Sequence, residues 1–380
     1  MATGPLAIDM YLPALPTLAA EFAVDAARVQ HTVSAYLFGM AVGQLVFGPL
    51  ADRHGRKWPL IGGLALFTAS SAGCALASSI EAFVLLRVAQ ALGGAAGMVV
   101  IRAVIRDRFD ALQSAQVLSS MMLVMGVAPI LAPLAGGWIL VAGSWHWIFW
   151  FLAAFAALCI VLVIAHLEES HPPERRSASL GHALAGLLPV GRDVRFLGPA
   201  LVFISALGGF FSYLAAPPFV FIQYFGVPAQ HFGWYFGANA LGFITMTQFN
   251  RRFVTRHGPR RVMGWGVRTL GAAAVALLAS ALTGTGGFAG IVAPIFVAIA
   301  AMGLIAPNAT AVAMAPFGAR AGGASSLLGT AQSLFGVLSS SAVGWVAASG
   351  AIPMAAIVFA CGAISFLAYL FLVQPERTAA

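Results

Sequence analysis

The sequence predicts an all-α membrane protein built from two bundles of six transmembrane helices, and three observations lead to this prediction. Hydrophobic residues make up 60% of the 380 residues and charged residues only 8%, whereas a soluble domain carries roughly 25% charged residues. Apolar runs of about 20 residues, the length that spans a bilayer, recur along the whole chain. Finally, a short charged sequence occurs twice, once in each half of the chain.

The breaks between the apolar runs divide the chain into twelve predicted spans. Six spans are predicted at 1–18, 30–50, 58–79, 82–105, 114–142 and 146–167, and six more at 196–223, 232–250, 262–283, 287–312, 325–349 and 352–373. We therefore expect an N-terminal six-helix bundle at 1–167, a linker at 168–195, and a C-terminal six-helix bundle with a short tail at 196–380.

The positive charges predict the orientation of these spans. Sixteen of the 20 Lys and Arg residues lie in the breaks after the even-numbered spans, and only Arg28 lies in the opposite breaks. By the positive-inside rule, both termini and the linker are expected in the cytoplasm. The net charge of +8 is thus interpreted as a topology signal, and we expect no nucleic acid as a partner.

The repeated charged sequence indicates an internal duplication. "ADRHGRKW" at 51–58 is matched by "RHGPRR" at 256–261, with Thr255 in the position of Asp52. Each copy follows the second span of its half, so the halves are predicted to be parallel repeats of one six-helix unit. Such repeats, flanking a site near the middle of the membrane, are typical of secondary transporters.

The spacing of the two copies also predicts an incomplete first span. Arg53 and Arg256 are 203 residues apart, and the seventh span starts at Phe196. The first span should start 203 residues before Phe196, a position that lies before Met1. We therefore expect the first helix to lack its start in this sequence.

Several functional classes lack their sequence signatures. The chain has no GxxxxGK[ST] loop for ATP and no HExxH metal motif, and its three cysteines lie singly in separate apolar runs. No catalytic dyad of an enzyme and no charged ring of a channel is apparent. We expect no cofactor, no bound metal and no enzymatic activity.

Several motifs resemble those of a known family. "GPLADRHGRK" at 48–57 resembles the signature loop of the major facilitator superfamily. "LLRVAQALGGAAG" at 85–97 is similar to the Arg-x-x-Gln-Gly motif of drug:proton antiporters, with Ala91 in the place of the last glycine. "GVAPILAPLAGGW" at 126–138 is similar to their fifth-helix motif Gly-Pro-x-x-Gly-Gly, with Ala132 before the proline.

Three further stretches narrow the resemblance. "AIDMYLPALP" at 7–16, "SWHWIFW" at 144–150 and "PPERR" at 172–176 resemble the bicyclomycin/chloramphenicol resistance (Bcr/CflA) family of bacterial efflux transporters. The resemblance implies a monomeric multidrug efflux antiporter of the bacterial inner membrane, which exports small amphipathic compounds in exchange for protons and confers antibiotic resistance. A proton-coupled uptake symporter or a metabolite exporter of the same fold is the alternative.

Asp9 and Arg87 are the predicted proton-coupling residues. An Asp at membrane depth costs about 2.5–3.5 kcal/mol on insertion scales and normally faces a cavity or a partner. The resemblance makes Asp9 a carboxylate whose proton alternates with the substrate, and Arg87 its partner. The alternative for Asp9 is a helix-breaking Asp close to the outer interface, flanked by Pro5 and Pro13, and the alternative for Arg87 is a side chain that extends to the outer headgroups.

The remaining predicted site residues form three groups. The cytoplasmic gate implied by the family comprises Gly48, Asp52, Arg53, Gly55, Arg56, Lys57 and Asp107. Close packing of the fifth helix is assigned to Gly126, Pro129, Pro133, Gly136 and Gly137. The candidates for lining a substrate cavity are Tyr36, Met40, Gln90, Phe210, Phe211, Tyr213 and Asn239, although ordinary contact with helices or lipid is the alternative for each.

Overall fold

The computed structural model describes residues 3–109, 111–170, 190–345 and 350–373. Side chains within these ranges are described except at 106, 111, 112, 114–116, 118–120, 122–127, 129, 318–323, 325, 326 and 343–345. The described residues are almost entirely helical and contain no β-strand.

The helices of the first half correspond to the first six predicted spans. The first span consists of two short helices and the turn between them: α1 (Thr3–Asp9), a 3₁₀ turn (Leu12–Ala14) and α2 (Leu15–Glu21). Five long helices follow: α3 (Ala26–His54), α4 (Lys57–Ala75), α5 (Ile80–Arg108), α6 (Ala111–Ala142) and α7 (His146–His166).

The helices of the second half correspond to the other six spans. They are α8 (Val194–Ala215) with a π-helix (Pro218–Tyr224), α9 (Ala229–His257), α10 (Pro259–Thr283), α11 (Gly287–Met314), α12 (Ala321–Trp345) and α13 (Ile352–Leu372). A 3₁₀ segment, Ala315–Arg320, joins α11 to α12. Counting α1 and α2 as one span, the described residues form the twelve helices that the sequence predicts.

The first span, predicted as one helix at 1–18 with a helix-breaking Asp9 as the alternative, is broken at Asp9. α1 ends at Asp9, and the 3₁₀ turn that follows contains Pro13. Proline has no amide hydrogen and its ring clashes with the preceding turn, so it interrupts an α-helix. Pro217 and Pro218 similarly end α8 before the predicted end of the seventh span at 223.

Each of the two charged sequences lies at the end of one helix and the start of the next, with only a short turn between the helices. α3 continues through Asp52 and Arg53 to His54, and α4 begins at Lys57. Gly55, between them, has φ +88°, in the left-handed region that glycine adopts without strain. Gly258 has φ +76° at the same place between α9 and α10. Because α3 and α9 both have 29 residues and both end in Arg-His before this glycine, the repeat extends beyond the motif.

The chain divides into two compact units, Met1–Leu180 with Phe221–Phe236, and Gly181–Val220 with Gly237–Ala380. In the first unit, α4 packs against α5 and α7. In the second unit, α10, which occupies the equivalent place in the repeat, packs against α11 and α13. The same packing pattern therefore recurs in both units.

The outer surface of the helices is apolar, as expected for contact with lipid. Leu85 and Phe371 are each 70% exposed, and large apolar side chains at such exposure are unfavourable in water. Eight of the described helices are long and apolar enough to span a membrane. The prolines within α3, α8 and α11 are of a kind that transmembrane helices tolerate, because neighbouring groups satisfy the freed carbonyls.

Candidate functional site

Asp9 is the last residue of α1 and is buried, at 6% exposure. No hydrogen bond or ion pair joins its carboxyl group to another described residue. Tyr36 of α3 lies within electrostatic reach of Asp9, and its hydroxyl donates to the Gly4 carbonyl on the same short helix at 3.4 Å. The break in the first span thus leaves a buried carboxyl group without a hydrogen-bond or ion-pair partner among the described residues.

Arg87 of α5 is completely buried between aromatic rings of three other elements. Its guanidinium carbon lies 4.1 Å from the ring centre of Tyr11, 4.3 Å from that of Tyr36 and 5.8 Å from that of Phe149. Such cation–π contacts stabilise a charge that is removed from water. The predicted alternative, in which Arg87 extends to the outer headgroups, does not describe this conformation, because its exposure is 0%.

A chain of hydrogen bonds fixes the position of Arg87. Its Nη1 donates to Gln90 Oε1 at 2.5 Å, and Gln90 Nε2 donates to Ser71 Oγ at 2.7 Å. Ser71 in turn donates to the Phe67 carbonyl at 2.6 Å within α4. The Arg and Gln of the predicted fourth-span motif therefore act as one unit, anchored on the third span.

Two nitrogens of Arg87, Nε and Nη2, make no hydrogen bond of good geometry to a described residue, although the Tyr11 hydroxyl lies close enough to Arg87 to interact with it. They are adjacent on one edge of the guanidinium, and this edge can bind both oxygens of a carboxylate side by side. Unpaired buried polar groups are rare and call for an explanation. The structure contains no ion pair between Arg87 and Asp9 within the described residues, so the predicted partnership of the two remains a prediction.

The fifth-span motif packs α6 directly onto the break in the first span. A Cβ added at Gly136 would lie 1.8 Å from the carbonyl oxygen of Met10, the residue after Asp9. A Cβ at Gly137 would lie 2.7 Å from the carbonyl oxygen of Ala229, in the same compact unit. Pro133 is buried, while the side-chain surroundings of Gly126 and Pro129 lie outside what the structure describes.

The predicted gate residues Asp52, Arg56 and Asp107 form one cluster. Arg56 Nη1 donates to Asp52 at 2.6 Å, and Arg56 Nε donates to Asp107 at 2.8 Å. Burial alone would lower the pKa of Arg56, but the hydrogen bonds and charges of Asp107 and Asp52 raise it above the ordinary value.

The other predicted gate residues surround this cluster. Gly55 provides the turn described above, and Arg53 is exposed in the last turn of α3. Lys57 Nζ donates to the Ile164 carbonyl of α7 at 3.1 Å. At Gly48 an added Cβ would meet only Val99, at 3.9 Å. Gly48 therefore has room that Gly136 lacks.

Glu169 was missed by the sequence analysis. Its carboxylate accepts from the backbone amides of Arg56 and Lys57, at 2.7 and 3.1 Å. An acid at the N-terminus of a helix is favoured because the first amides of the helix are otherwise unpaired. In the sequence Glu169 is one of two adjacent acids at the start of a polar linker, and nothing there indicates contact with a residue 112 or 113 positions away.

The candidate substrate-lining residues fall into two sets, one in each compact unit. Tyr36, Met40 and Gln90 are buried in the first unit. In the second, Asn239 Nδ2 donates to the Tyr213 hydroxyl at 2.7 Å, and the ring of Phe210 contacts the rings of Phe211 and Tyr213. A cavity of about 20 Å³ beside Phe210 and Tyr213 has room for little more than a water molecule.

No group of three or more potential metal ligands occurs among the residues that the structure describes.

Comparison with known proteins identifies the class to which this fold and these motifs belong. Residues 2–221 match the Major Facilitator Superfamily. The xylose transporter XylE from E. coli, in a partially occluded inward-open conformation, has the same fold with a TM-score of 0.76 and 16% identity, covering 100% of this chain and 97% of the other.

Relatives at higher identity cover nearly the whole chain. The MFS-type transporter YdgK of Bacillus subtilis is 35% identical over 98% of this chain and 92% of its own length. The bicyclomycin resistance protein homolog of Haemophilus influenzae is 31% identical over 97% and 92%. The chloramphenicol resistance protein of Pseudomonas aeruginosa is 31% identical over 83% and 74%. The chain therefore belongs to the major facilitator superfamily of transporters and, within it, to the bicyclomycin/chloramphenicol resistance family.

Proposed function

We propose that this protein is a proton-coupled antiporter that exports small amphipathic compounds across the bacterial inner membrane. Support comes from the relatives named for resistance to bicyclomycin and to chloramphenicol, and from the two antiporter motifs on α5 and α6. The proposal includes a monomer with both termini in the cytoplasm, as the positive-inside rule predicts.

The observation that carries the proton coupling is that one compact unit buries an aspartic acid and an arginine that are not paired with each other within the described residues. Asp9 has no hydrogen bond or ion pair to a described residue, and two nitrogens of Arg87 make no hydrogen bond of good geometry to one. When Asp9 loses its proton, the free edge of Arg87 is a suitable partner for the carboxylate. When Asp9 is protonated, that attraction is lost. Protonation can thus change the position of the first span relative to α5.

The position of the first span, which depends on the protonation of Asp9, would in turn affect the binding of the substrate. A cavity for apolar drugs is typically lined by aromatic side chains and Met with a few polar groups. Tyr36, Met40 and Gln90 in the first unit, and Phe210, Phe211, Tyr213 and Asn239 in the second, are our candidates for this lining. Transport would proceed by alternating access, as in other transporters built from repeats.

The cluster of Asp52, Arg56 and Asp107 is proposed to stabilise a conformation closed to the cytoplasm. Arg56 is nearly buried and paired with two acids, so removing one acid leaves a buried charge incompletely paired. Thr255 at the equivalent position of the second copy cannot form such an ion pair. The proposed gate is therefore present in one half only.

The direction of transport is the part of the proposal that the fold does not decide, because the same fold serves a xylose–proton symporter. The motif on α6, which resembles that of antiporters, favours export over uptake.

The test is transport into everted membrane vesicles that contain the full chain, with chloramphenicol as the probe and an imposed proton gradient as the driving force. We expect uptake of the drug that a protonophore abolishes, and we expect Asp9→Asn to abolish the gradient-driven component. Asp9→Glu, which keeps a titratable carboxyl group, is the control and should retain part of it. Unchanged gradient-driven transport by Asp9→Asn would remove Asp9 from the mechanism.

A further inference from the structure

A cluster of buried aromatic rings connects Arg87 to the start of α7. The ring of Phe149 lies 5.8 Å from the guanidinium carbon of Arg87. Phe149 also contacts Phe83 of α5 at 5.2 Å and Trp145 at 5.9 Å between ring centres, and these last two rings contact each other at 5.8 Å. All three pairs are nearly perpendicular, an edge-to-face arrangement that stabilises aromatic pairs. The guanidinium therefore lies at one end of a closely packed set of rings.

Trp145, at the other end of this cluster, is attached to the first span by a hydrogen bond. It is the residue before α7 and is only 1% exposed. Its indole Nε1 donates to Oε2 of Glu21, the last residue of α2, at 2.5 Å. A buried indole N–H normally has an acceptor, because leaving it unpaired is costly. Glu21 therefore supplies the acceptor that allows Trp145 to be buried in the cluster.

Other contacts hold Glu21 and the chain that follows it in place. The His146 ring stacks on Trp145 at 3.8 Å, and its Nε2 lies 3.7 Å from Glu21 Oε1. The ring of Phe22, the next residue after Glu21, lies 5.9 Å from that of Trp145. Ala23 then has φ +52°, a left-handed conformation that is unfavourable for a residue with a Cβ. Such a conformation persists only where its surroundings fix it, so the end of α2 is firmly held.

We infer that Glu21 is a positioning residue for Arg87, and that it acts through Trp145 and the rings that Trp145 contacts. Phe149 is one of the three rings around the guanidinium, and it also contacts a second of them, Tyr11, at 6.0 Å. A displacement of Trp145 would thus reach Arg87 through side chains in direct contact.

The consequence for transport rests on the proposed function, in which the free edge of Arg87 pairs with Asp9. Side-by-side binding of a carboxylate requires a defined orientation of the guanidinium. If the rings around Arg87 lose their fixed arrangement, this pairing is weakened. Loss of the Glu21 acceptor should therefore reduce transport driven by the proton gradient more than it reduces substrate binding.

The first experiment measures chloramphenicol transport into everted vesicles that contain the full chain. We expect Glu21→Leu to lower the gradient-driven maximal rate about tenfold, a change that corresponds to about 1.4 kcal/mol, with KM nearly unchanged. Glu21→Gln keeps an oxygen that accepts from the indole and should retain most of the rate. The matched control is Glu81→Leu, which removes the same charge from an exposed acid of the same unit, paired with the exposed Arg28 at 3.7 Å. It should transport as the wild type does.

The second experiment is a double-mutant cycle that needs no transport. The melting temperature of the purified protein in detergent is measured for Glu21→Leu, for Arg87→Lys and for the double variant. Residues coupled through shared partners give non-additive effects, so the double variant should lose less than the sum of the single losses. If Arg87→Lys does not fold, Phe149→Leu takes its place, because it removes a ring between Trp145 and Arg87.

Three results would overturn the inference. Equal loss of transport in Glu21→Leu and Glu21→Gln would show that the acceptor for Trp145 is not the reason for the effect. Equal loss in Glu21→Leu and Glu81→Leu would show a general effect of surface charge. Additive falls in melting temperature would show that Glu21 and Arg87 are independent. Absence of gradient-driven transport in the wild type would count against the proposed function, and the cycle would still decide whether Glu21 positions Arg87.

Discussion

Arg87 places a positive charge at 0% exposure within a membrane protein, where water cannot solvate it. The two Tyr rings and one hydrogen bond to Gln90 compensate for part of this loss of solvation. Nε and Nη2 have no hydrogen bond of good geometry to the described residues, so the charge is only partly satisfied there. A group that is only partly satisfied in one conformation is suited to change partners in another.

Replacing Gln90 with Leu is expected to destabilise the protein, because Arg87 would lose the hydrogen bond at Nη1 without any change in its burial. Hydrogen bonds to charged groups contribute about 1.5–3 kcal/mol, so the melting temperature of the purified protein in detergent should fall by a few degrees.

The control for this prediction is Ser71→Ala, which leaves the bond from Arg87 to Gln90 intact and removes the neutral bond between Gln90 and Ser71. It also removes the bond from Ser71 to the Phe67 carbonyl of its own helix, a kind of bond that does not add to helix stability. A neutral bond contributes about 1 kcal/mol, so the loss should be smaller. If Ser71→Ala were as destabilising as Gln90→Leu, the anchoring of Arg87 by Gln90 would not be the reason for the effect.

At this scale the sequence predicts charged residues better than it predicts their partners. Asp9 and Arg87 are identifiable because charged residues are rare in apolar runs. Tyr11 and Phe149 are not identifiable as neighbours of Arg87, because aromatic residues are common in such runs and their contacts depend on how distant helices pack. Glu169 was also missed, because its contacts with Arg56 and Lys57 depend on how distant parts of the chain pack.

Among the helices, α6 packs on the first span through the glycine motif, and this contact needs glycine at position 136. Pro13 interrupts the span, and Gly136 allows the Met10 carbonyl oxygen to approach the backbone of α6. A motif that the sequence analysis interpreted only as close packing is therefore adjacent to Asp9. The sequence raised a break at Asp9 as an alternative, but it could not predict the partner of the glycine, because it does not show which helix faces that break.

Gly136→Ala is expected to reduce both stability and transport, because the new methyl group would lie 1.8 Å from the Met10 oxygen and the backbone would have to move. Overpacking typically costs about 1–3 kcal/mol. The measurement is thermal unfolding together with vesicle transport.

Gly62→Ala is the matched control in the same compact unit, since a Cβ at Gly62 meets nothing within 4 Å. This variant should unfold and transport as the wild type does, or be slightly more stable because Ala favours helices. A Gly136→Ala protein that behaved like Gly62→Ala would contradict the close contact between α6 and the first span.

For the whole molecule, the two halves share the lengths and ends of corresponding helices but differ in their charged residues. α3 and α9 have the same length and end at the same Arg-His-Gly sequence. The charged sequence predicted this relation, because one offset aligns both copies. In the first copy Asp52 pairs with Arg56, while in the second Thr255 donates to its own helix at the Arg252 carbonyl.

Asp52→Asn is expected to lower the turnover of transport while leaving substrate affinity nearly unchanged, because Arg56 would lose an ionic partner far from the proposed substrate site. Initial rates in everted vesicles over a range of substrate concentrations separate the maximal rate from KM. Thr255→Asn, the equivalent change in the second copy, should leave both values close to those of the wild type. Equal damage by the two substitutions would rule out a gate confined to the first half.

The most direct test of the central claim, that the proton of Asp9 and the substrate alternate, is proton release on substrate binding to the purified protein in weakly buffered detergent solution. A pH-sensitive dye should report release when the substrate of the vesicle assay is added to the wild type. Asp9→Asn should bind the substrate without releasing a proton. Substrate binding by the wild type with no proton release, or release that persists in Asp9→Asn, would contradict the account.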